Sequence, residues 1–223
     1  MLKELLKKQI NFLDKNSISY ILRNKRMDMF KSFLEHIENK KINIIDVGGT
    51  EAFWNCFYKS NDLIKCNITL FNLTKENINK SNFTSIMGNA TNMKQFNDKE
   101  FDVVFSNSVI EHVGDYNEQV KMANEVKRIG KKIFLQTPNK YFPLEPHFLM
   151  LFFQFMPIPL RIFLLMHFRI GWHNKIKDKK DALEIAKSIR LLTKKELKKL
   201  FPNAIIYEEK LFGLTKSFVV YSK

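Results

Sequence analysis

Three titratable side chains have the types and spacing for proton chemistry. Glu145 and His147 lie two residues apart in a stretch that Pro143 and Pro146 restrain, so they can point the same way and orient one another. We interpret His147, helped by Glu145, as a candidate general base or substrate-positioning residue. His112, which follows a strand-like run, is a further catalytic candidate. The alternatives are a loop that faces water and, for His112, a packed imidazole.

A carboxylate followed by paired glycines forms a second candidate group. In KINIIDVGG an apolar run ends in Asp46, and Gly48 and Gly49 make the turn. A turn without Cβ atoms lets the backbone approach a ligand closely, and the carboxylate can accept hydrogen bonds from an ammonium or a hydroxyl group. Glycine-rich turns after strands are common, so this pattern alone indicates only a candidate binding loop.

These side chains must be positioned by strands that alternate with helices. Strand-like runs recur at 66–73, 83–90, 101–108 and 131–139, and a helical segment covers about 116–129. This order predicts an α/β fold with a mostly parallel sheet and ligands at the carboxyl ends of the strands. Runs at 204–209 and 216–221 predict a terminal hairpin, and apolar spacing predicts two leading helices within 1–38.

Four segments in this order resemble class I S-adenosylmethionine-dependent methyltransferases, particularly the small single-domain, type 11-like kind. They are IIDVGGTEAFW, ITLFNL, MGNATNM and FDVVFSNSVIEHV. The resemblance covers residues 40–139 by motif and extends to the terminal hairpin by topology. It implies a Rossmann-like, doubly wound, mostly parallel seven-stranded sheet with a C-terminal antiparallel hairpin.

The resemblance also implies S-adenosylmethionine as cofactor. Asn72 stands where the family usually has an acidic residue for the ribose hydroxyls, and Thr50 and Glu51 stand where more glycine is expected. Asn89 matches a position that is often Asp and contacts the adenine amine, although a turn residue is an equal interpretation. The implied cofactor-binding residues are Asp46, Gly48, Gly49, Thr50, Asn72, Leu73, Asn89, Ala90, Ser106 and Asn107.

One methyltransferase domain over 1–223 is predicted, with N-terminal helices at 1–40, a cofactor-binding core at 41–139, an apolar lid insertion at 140–176 and C-terminal helices and hairpin at 177–223. We expect the acceptor above the strand ends, beside Tyr141 and His173. The expected reaction transfers a methyl group to an oxygen or nitrogen of a small metabolite, glycan or lipid-linked acceptor. Neither the acceptor nor the oligomeric state can be inferred from the sequence.

The run 148–166 is long and apolar enough to cross a bilayer, but Gln154, Pro157, Pro159 and Arg161 interrupt it. It also lies between a loop and strands of one sheet, so we reject a membrane span. The first interpretation is a pair of helices broken at Pro157–Pro159 that caps the cleft. The second is a lid that receives a lipid-linked acceptor or touches a membrane peripherally through 148–170, assisted by nearby basic residues.

Composition narrows the class of protein further. Hydrophobic residues make up 45% and charged residues 27%, which excludes a disordered chain. Cys56 and Cys66 are the only cysteines, so the chain is interpreted as reduced and cytoplasmic, and no metal site is predicted. The start lacks a signal-peptide pattern. The 37 Lys and Arg against 23 Asp and Glu are scattered, which favours a solvated surface over a polyanion site.

The sequence bears on three other functions. The charge keeps an RNA methyltransferase open, although no appended RNA-binding domain is evident and the segment after strand four lacks the pattern of amino-directed DNA methylases, so nucleic acid is disfavoured. A catalytically inactive cofactor-binding relic is consistent with Thr50, Asn72 and Asn89. A dinucleotide oxidoreductase is disfavoured, because GGTEAF does not make the GxGxxG pattern.

Overall fold

The computed structural model describes residues 14–38, 41–58 and 65–223. In these residues seven strands form one sheet, and they are β1 Ile42–Val47, β2 Cys66–Asn72, β3 Phe83–Met87, β4 Phe101–Asn107, β5 Gly130–Pro138, β8 Ile205–Leu211 and β9 Leu214–Tyr221. Their order in the sheet is β3-β2-β1-β4-β5-β9-β8, and β9 runs antiparallel to both of its neighbours. This order and the antiparallel C-terminal pair confirm the predicted fold class.

Helices cover both faces of the sheet. In the described residues they are α1 Ile18–Glu35, α2 Glu51–Phe57, α3 Tyr116–Ile129, α4 Ile158–His167, α5 Lys179–Lys187 and α6 Lys194–Leu200. The predicted helix at 116–129 matches α3, and Asp115 caps it by accepting hydrogen bonds from the first backbone N–H groups. Of the two predicted leading helices, α1 is present, and the apolar positions from Leu2 to Leu13 lie outside the described residues.

Strands β1 and β4 are buried along nearly their whole length because both of their faces are covered. Successive residues of β1 face opposite sides, so Ile44 packs with α1 and α2 while Ile45 packs with α3. On the first side, Phe30 of α1 lies 4.8 Å from both Phe105 and Phe134, measured between ring centroids. These two cores fix the carboxyl ends of β1, β4 and β5 relative to one another.

A buried ion pair fastens α1 to the C-terminal hairpin. Arg26 donates from Nε to Glu209 Oε1 at 2.8 Å and from Nη2 to Glu209 Oε2 at 2.6 Å, although 183 positions separate the two residues. Ser217 on β9 also donates to this carboxylate, and Arg26 donates to Asn107 at the end of β4. The bidentate geometry holds α1 over the carboxyl edge of the sheet.

The lid differs from the predicted pair of helices. Its first half is a short hairpin of β6 (Leu144–Glu145) and β7 (Met150–Leu151) followed by a single 3-10 turn, and only α4 forms an α-helix. Leu149 and Phe152 have positive φ angles of 48° and 58°, which an α-helix cannot contain. Because the Glu145 side chain accepts a hydrogen bond from the Phe148 N–H at 2.7 Å, the chain turns at this point.

Within the described part of the chain, no helix has both the length and the apolar content needed to cross a bilayer. Helix α4, which carries the second half of the apolar run, has ten residues.

Candidate active site at the carboxyl edge of the sheet

The turn after β1 is built so that only glycine fits. Gly48 has a φ of +83°, and a Cβ placed on it would lie 2.3 Å from Val109 Cγ2. A Cβ on Gly49 would lie 1.6 Å from Asp46 Oδ2. The predicted binding loop is therefore packed between its own strand and the segment that follows β4.

Asp46 lies beneath this loop and is almost fully buried. Trp54 Nε1 donates to Asp46 Oδ2 at 2.7 Å, whereas Oδ1 has no hydrogen-bond partner among the described residues. Burial raises the pKa of Asp46 to about 7, and the Trp54 hydrogen bond opposes that shift. An unsatisfied buried oxygen at the edge of a loop can accept a hydrogen bond from a ligand's ammonium or hydroxyl group.

Replacing Asp46 with Asn is expected to remove part of the pH dependence of stability. Folding raises the pKa of Asp46 from 3.8 to about 7, so between these values the folded chain retains a proton that the unfolded chain has released. The free energy of unfolding of the wild type should therefore fall as the pH rises across this range, by up to about 1.4 kcal/mol per pH unit. Urea unfolding of both proteins across this range measures the effect, and a constant difference between them would contradict it.

The ends of β2 and β3 present an amide between two exposed apolar side chains. Asn72 pairs with Met87 in register, and its Nδ2 donates to the Gly49 carbonyl at 2.8 Å. Leu73 is 75% exposed and Met87 is 64% exposed, although both are large and apolar. Such a pair suits the faces of a flat heteroaromatic ring. Met87 is missing from the sequence-based candidates, and its place as the last residue of β3 is the signal that could have indicated it.

Several of the implied cofactor-binding residues are engaged in hydrogen bonds or packing within the protein itself. Asn89 Oδ1 accepts from the Thr91 N–H at 2.9 Å, as a turn residue does, and Ala90 is buried in the core. Thr50 caps α2, and Ser106 donates from its hydroxyl to the Val47 carbonyl at 3.1 Å. Of this group, Asn89 alone is exposed at the edge of the sheet.

Four titratable side chains converge beyond the ends of β4 and β5, and we name Glu111, His112, Glu145 and His147 the Glu-His cluster. The rings of His112 and His147 meet edge to face, with 4.7 Å between their centroids. His147 Nδ1 and Glu145 Oε1 are 2.7 Å apart. The predicted catalytic candidates His112, Glu145 and His147 are thus brought together, and Glu111, absent from the predicted site residues, joins them.

Burial and charge act against each other in the Glu-His cluster. Burial raises the pKa of Glu111 to about 7, although His147 and the hydroxyl of Thr137 favour its charged form. Burial also opposes the charged form of His147, but the hydrogen bond and charge of Glu145 outweigh it and raise the pKa of His147. Burial and the neighbouring His147 lower the pKa of His112. One ligand atom from each of Glu111, His112 and His147 lies within 4.8 Å of the others, a grouping that could hold a metal ion.

The two predicted acceptor-binding residues lie on the lid side of the cluster. Tyr141 is exposed, and its ring stacks on Phe155 with 6.1 Å between centroids. His173 stacks on Phe148 at 5.5 Å, next in sequence to His147, and burial lowers its pKa. His173 therefore contacts the apolar core of the lid through Phe148, whereas Tyr141 belongs to an exposed aromatic surface of the lid.

Residues 46–133 match the sequence model of a family described as "Methyltransferase domain". Over 51 residues the chain is 41% identical to an uncharacterised protein of Mycobacterium tuberculosis, matched in two strains. That alignment covers 23% of this chain and only 17% of the relative's length.

Solved structures share the fold at low sequence identity. A SAM-dependent methyltransferase from Methanosarcina mazei aligns with a TM-score of 0.51 and 14% identity, over 85% of this chain and 95% of that one. A Pyrococcus horikoshii protein aligns with a TM-score of 0.53 and 16% identity, over 98% and 97%. The CurJ carbon methyltransferase also gives a TM-score of 0.53, with 11% identity, over 92% of this chain and 54% of that one.

The cofactor that these comparisons imply, S-adenosylmethionine, suits the carboxyl edge described above. Asp46 Oδ1, beneath the turn at Gly48 and Gly49, lacks a hydrogen-bond partner within the described residues. Asn72 and the apolar Leu73 would hold the ribose and the adenine ring. The match over residues 46–133 and the fold shared with a solved SAM-dependent methyltransferase make this chain similar to S-adenosylmethionine-dependent methyltransferases.

Proposed function

We propose that this chain transfers a methyl group from S-adenosylmethionine to an oxygen or nitrogen of a small metabolite, glycan or lipid-linked acceptor. We call the turn at Gly48 and Gly49 the cofactor loop. One observation carries the proposal: Val109 packs against Gly48 of this loop, and Glu111 and His112 follow Val109 within three residues. The loop that would hold the cofactor and the cluster that would face the acceptor are therefore one packed unit. When bound, the cofactor supplies an electrophilic methyl group whose bonding electrons remain on sulfur.

The residues of this chain would bind, orient and desolvate the reactants. The Glu-His cluster would hold the nucleophilic atom of the acceptor, with His147 fixed in orientation by Glu145 at 2.7 Å. Orientation of this kind supplies much of the rate gain in group transfer between two bound molecules. The buried carboxyl groups of Glu111 and Glu145 also show that water is largely excluded beneath the cluster.

The exposed side chains of the lid favour an acceptor that has an apolar part. It carries eight exposed large apolar side chains, which are Tyr141, Leu151, Phe152, Phe155, Leu160, Phe163, Phe168 and Trp172. An exposed apolar surface of this kind beside a polar cleft is typical of a site that receives lipids or docks on a membrane. Arg161 is not free to assist, because its guanidinium donates to the backbone carbonyls of Gln154, Met156 and Ala186.

Two measurements test the proposed function. Calorimetry should show binding of S-adenosylmethionine and of its demethylated product, and labelled cofactor should transfer its methyl group into a lipid or polar-metabolite fraction of source cells. Transfer into purified RNA instead would favour the RNA alternative. Binding without transfer to any fraction would favour a cofactor-binding relic, and absence of cofactor binding would overturn the proposal.

Vesicle binding tests the lipid-facing lid separately. The chain should sediment with vesicles of anionic lipid at low salt and be released as salt rises, because scattered lysines add an electrostatic attraction that ions screen. Replacing Phe152 and Phe163 with Ser should weaken sedimentation several-fold, whereas the same change at Phe212, exposed in the turn between β8 and β9 and outside the lid, should not. Sedimentation that is insensitive to the lid substitutions would contradict a role for the lid.

A further inference from the structure

The Glu-His cluster contains a buried carboxylate oxygen that lacks a hydrogen-bond partner. Glu111 is 0% exposed; Thr137 donates from Oγ1 to its Oε2 at 2.9 Å, while Oε1 has no partner among the described residues. Leaving a buried acceptor unsatisfied costs about 1–3 kcal/mol, so native proteins seldom do so without a ligand, ion or proton to compensate. Glu111 therefore indicates that a proton donor or a cation belongs beside it.

The second observation is the way in which His147 is held. Glu145 Oε1 lies 2.7 Å from His147 Nδ1, and the other oxygen of Glu145 accepts the Phe148 N–H at 2.7 Å. With Nδ1 donating to a fixed carboxylate, the lone pair of the ring lies on Nε2. Metal-binding imidazoles are oriented in this way, by a carboxylate behind the ring that sets the tautomer.

The third observation is the convergence of donors. Ligand atoms of Glu111, His112 and His147 lie within 4.8 Å of one another, and the three differ in exposure. Glu111 is buried, His147 is half-buried, and His112 is at the open side of the cluster. The closed side of the group is thus made of protein atoms, and its open side faces the lid.

We propose that Glu111, His112 and His147 bind one divalent transition-metal ion, and that the remaining coordination positions receive the acceptor. Two imidazole nitrogens and one carboxylate favour Zn²⁺, Co²⁺ or Fe²⁺ over Mg²⁺ and Ca²⁺, which prefer oxygen ligands. Three protein ligands leave a position open, as in catalytic rather than structural sites. This proposal departs from the sequence-based expectation of no metal site, and Glu145 acts in the proposed site as a positioning residue.

The use of this ion in catalysis rests on the proposed function, whereas its binding does not. An acceptor hydroxyl that coordinates the ion would lose its proton to solvent more readily, because the cation stabilises the oxyanion. The acceptor would then be held as a nucleophile next to the cofactor loop. An acceptor with a hydroxyl group is therefore favoured within the proposed substrate classes.

Equilibrium dialysis of the full chain, first stripped with a chelator, tests the site directly. Zn²⁺ or Co²⁺ alone should bind at one equivalent, and bound Co²⁺ should give a visible spectrum of mixed nitrogen and oxygen coordination. His112→Ala, at the open side of the cluster, is expected to fold and to weaken binding by about 100-fold or more. Glu145→Gln should weaken binding by about 10- to 100-fold and leave the stoichiometry unchanged.

Matched controls use the exposed histidines that lie away from the cluster. His36→Ala and His167→Ala should bind one equivalent with wild-type affinity, because His36 bonds to the Ser32 carbonyl and His167 contacts only Phe163, neither of which belongs to the cluster. Failure of the wild type to bind, or wild-type affinity in both His112→Ala and His147→Ala, would overturn the metal site and leave a proton shared within the cluster as its explanation. Calorimetry with S-adenosylmethionine on the same proteins is independent, so a failed metal site and a failed proposed function give different results.

Discussion

Gly48→Ala is expected to destabilise the chain by about 2–5 kcal/mol and to abolish binding of S-adenosylmethionine. An alanine at a φ of +83° costs about 1–2 kcal/mol in backbone strain. Its Cβ would also lie 2.3 Å from Val109 Cγ2, and overpacking of this kind costs about 1–3 kcal/mol. Urea unfolding gives the stability change, and calorimetry gives the loss of cofactor affinity.

Gly213 offers a matched control for this prediction. It has a φ of +78°, but a Cβ placed on it meets nothing within 4 Å, so Gly213→Ala should cost only the strain of about 1–2 kcal/mol. Adding Val109→Ala to Gly48→Ala should restore part of the stability by removing the clash, a coupling that a double-mutant cycle measures. Equal losses of stability in Gly48→Ala and Gly213→Ala, with no coupling to Val109, would show that the contact between residue 48 and Val109 contributes nothing to the destabilisation.

His147→Ala is expected to lower methyl transfer by about 100-fold or more while the affinity for S-adenosylmethionine changes by less than about twofold. The His147 ring contacts His112, whereas Val109 is the residue that approaches Gly48, so loss of the ring should affect the acceptor and not the cofactor. Loss of a group that positions a reactant or transfers its proton commonly costs 100- to 10,000-fold. Single-turnover transfer into the accepting fraction and calorimetry measure the two effects.

Two further variants distinguish the orientation of the His147 ring from its direct part in methyl transfer. Glu145→Gln keeps the size of the side chain and its contact with the Phe148 N–H, so it should reduce transfer less than His147→Ala. His36→Ala should transfer at the wild-type rate, since His36 is exposed at the end of α1, beyond the opposite edge of the sheet. Full turnover by His147→Ala would remove the Glu-His cluster from the proposed reaction.

The sheet could be predicted closely because its strands are short apolar runs with clear ends. The run predicted at 101–108 corresponds to strand β4, Phe101–Asn107, and the helix predicted at 116–129 matches α3. The run at 83–90 ends earlier, at Met87, because Asn89 forms a turn with Thr91. Periodicity and turn residues carry this information locally, so no tertiary contact was needed to find these elements.

The lid and half of the candidate site depend on contacts that are distant in sequence. Pro157 and Pro159 suggested a break between two helices, but the turn is set by the Glu145 carboxylate and by positive φ angles that composition does not reveal. Glu111 was overlooked because its significance comes from Thr137 on the next strand and from His147 beyond it. The roles assigned to His112, Glu145 and His147 remain predictions, although the structure brings these residues together.

The ion pair between Arg26 and Glu209 has a consequence for how the chain matures during synthesis. Helix α1 leaves the ribosome early, yet its buried partner is made 183 residues later. A guanidinium that must be paired when buried cannot dock stably before then. Nascent chains that lack β8 and β9 should therefore keep α1 accessible to proteases. Helix α1 should dock over the carboxyl edge of the sheet only after β9 has left the ribosome.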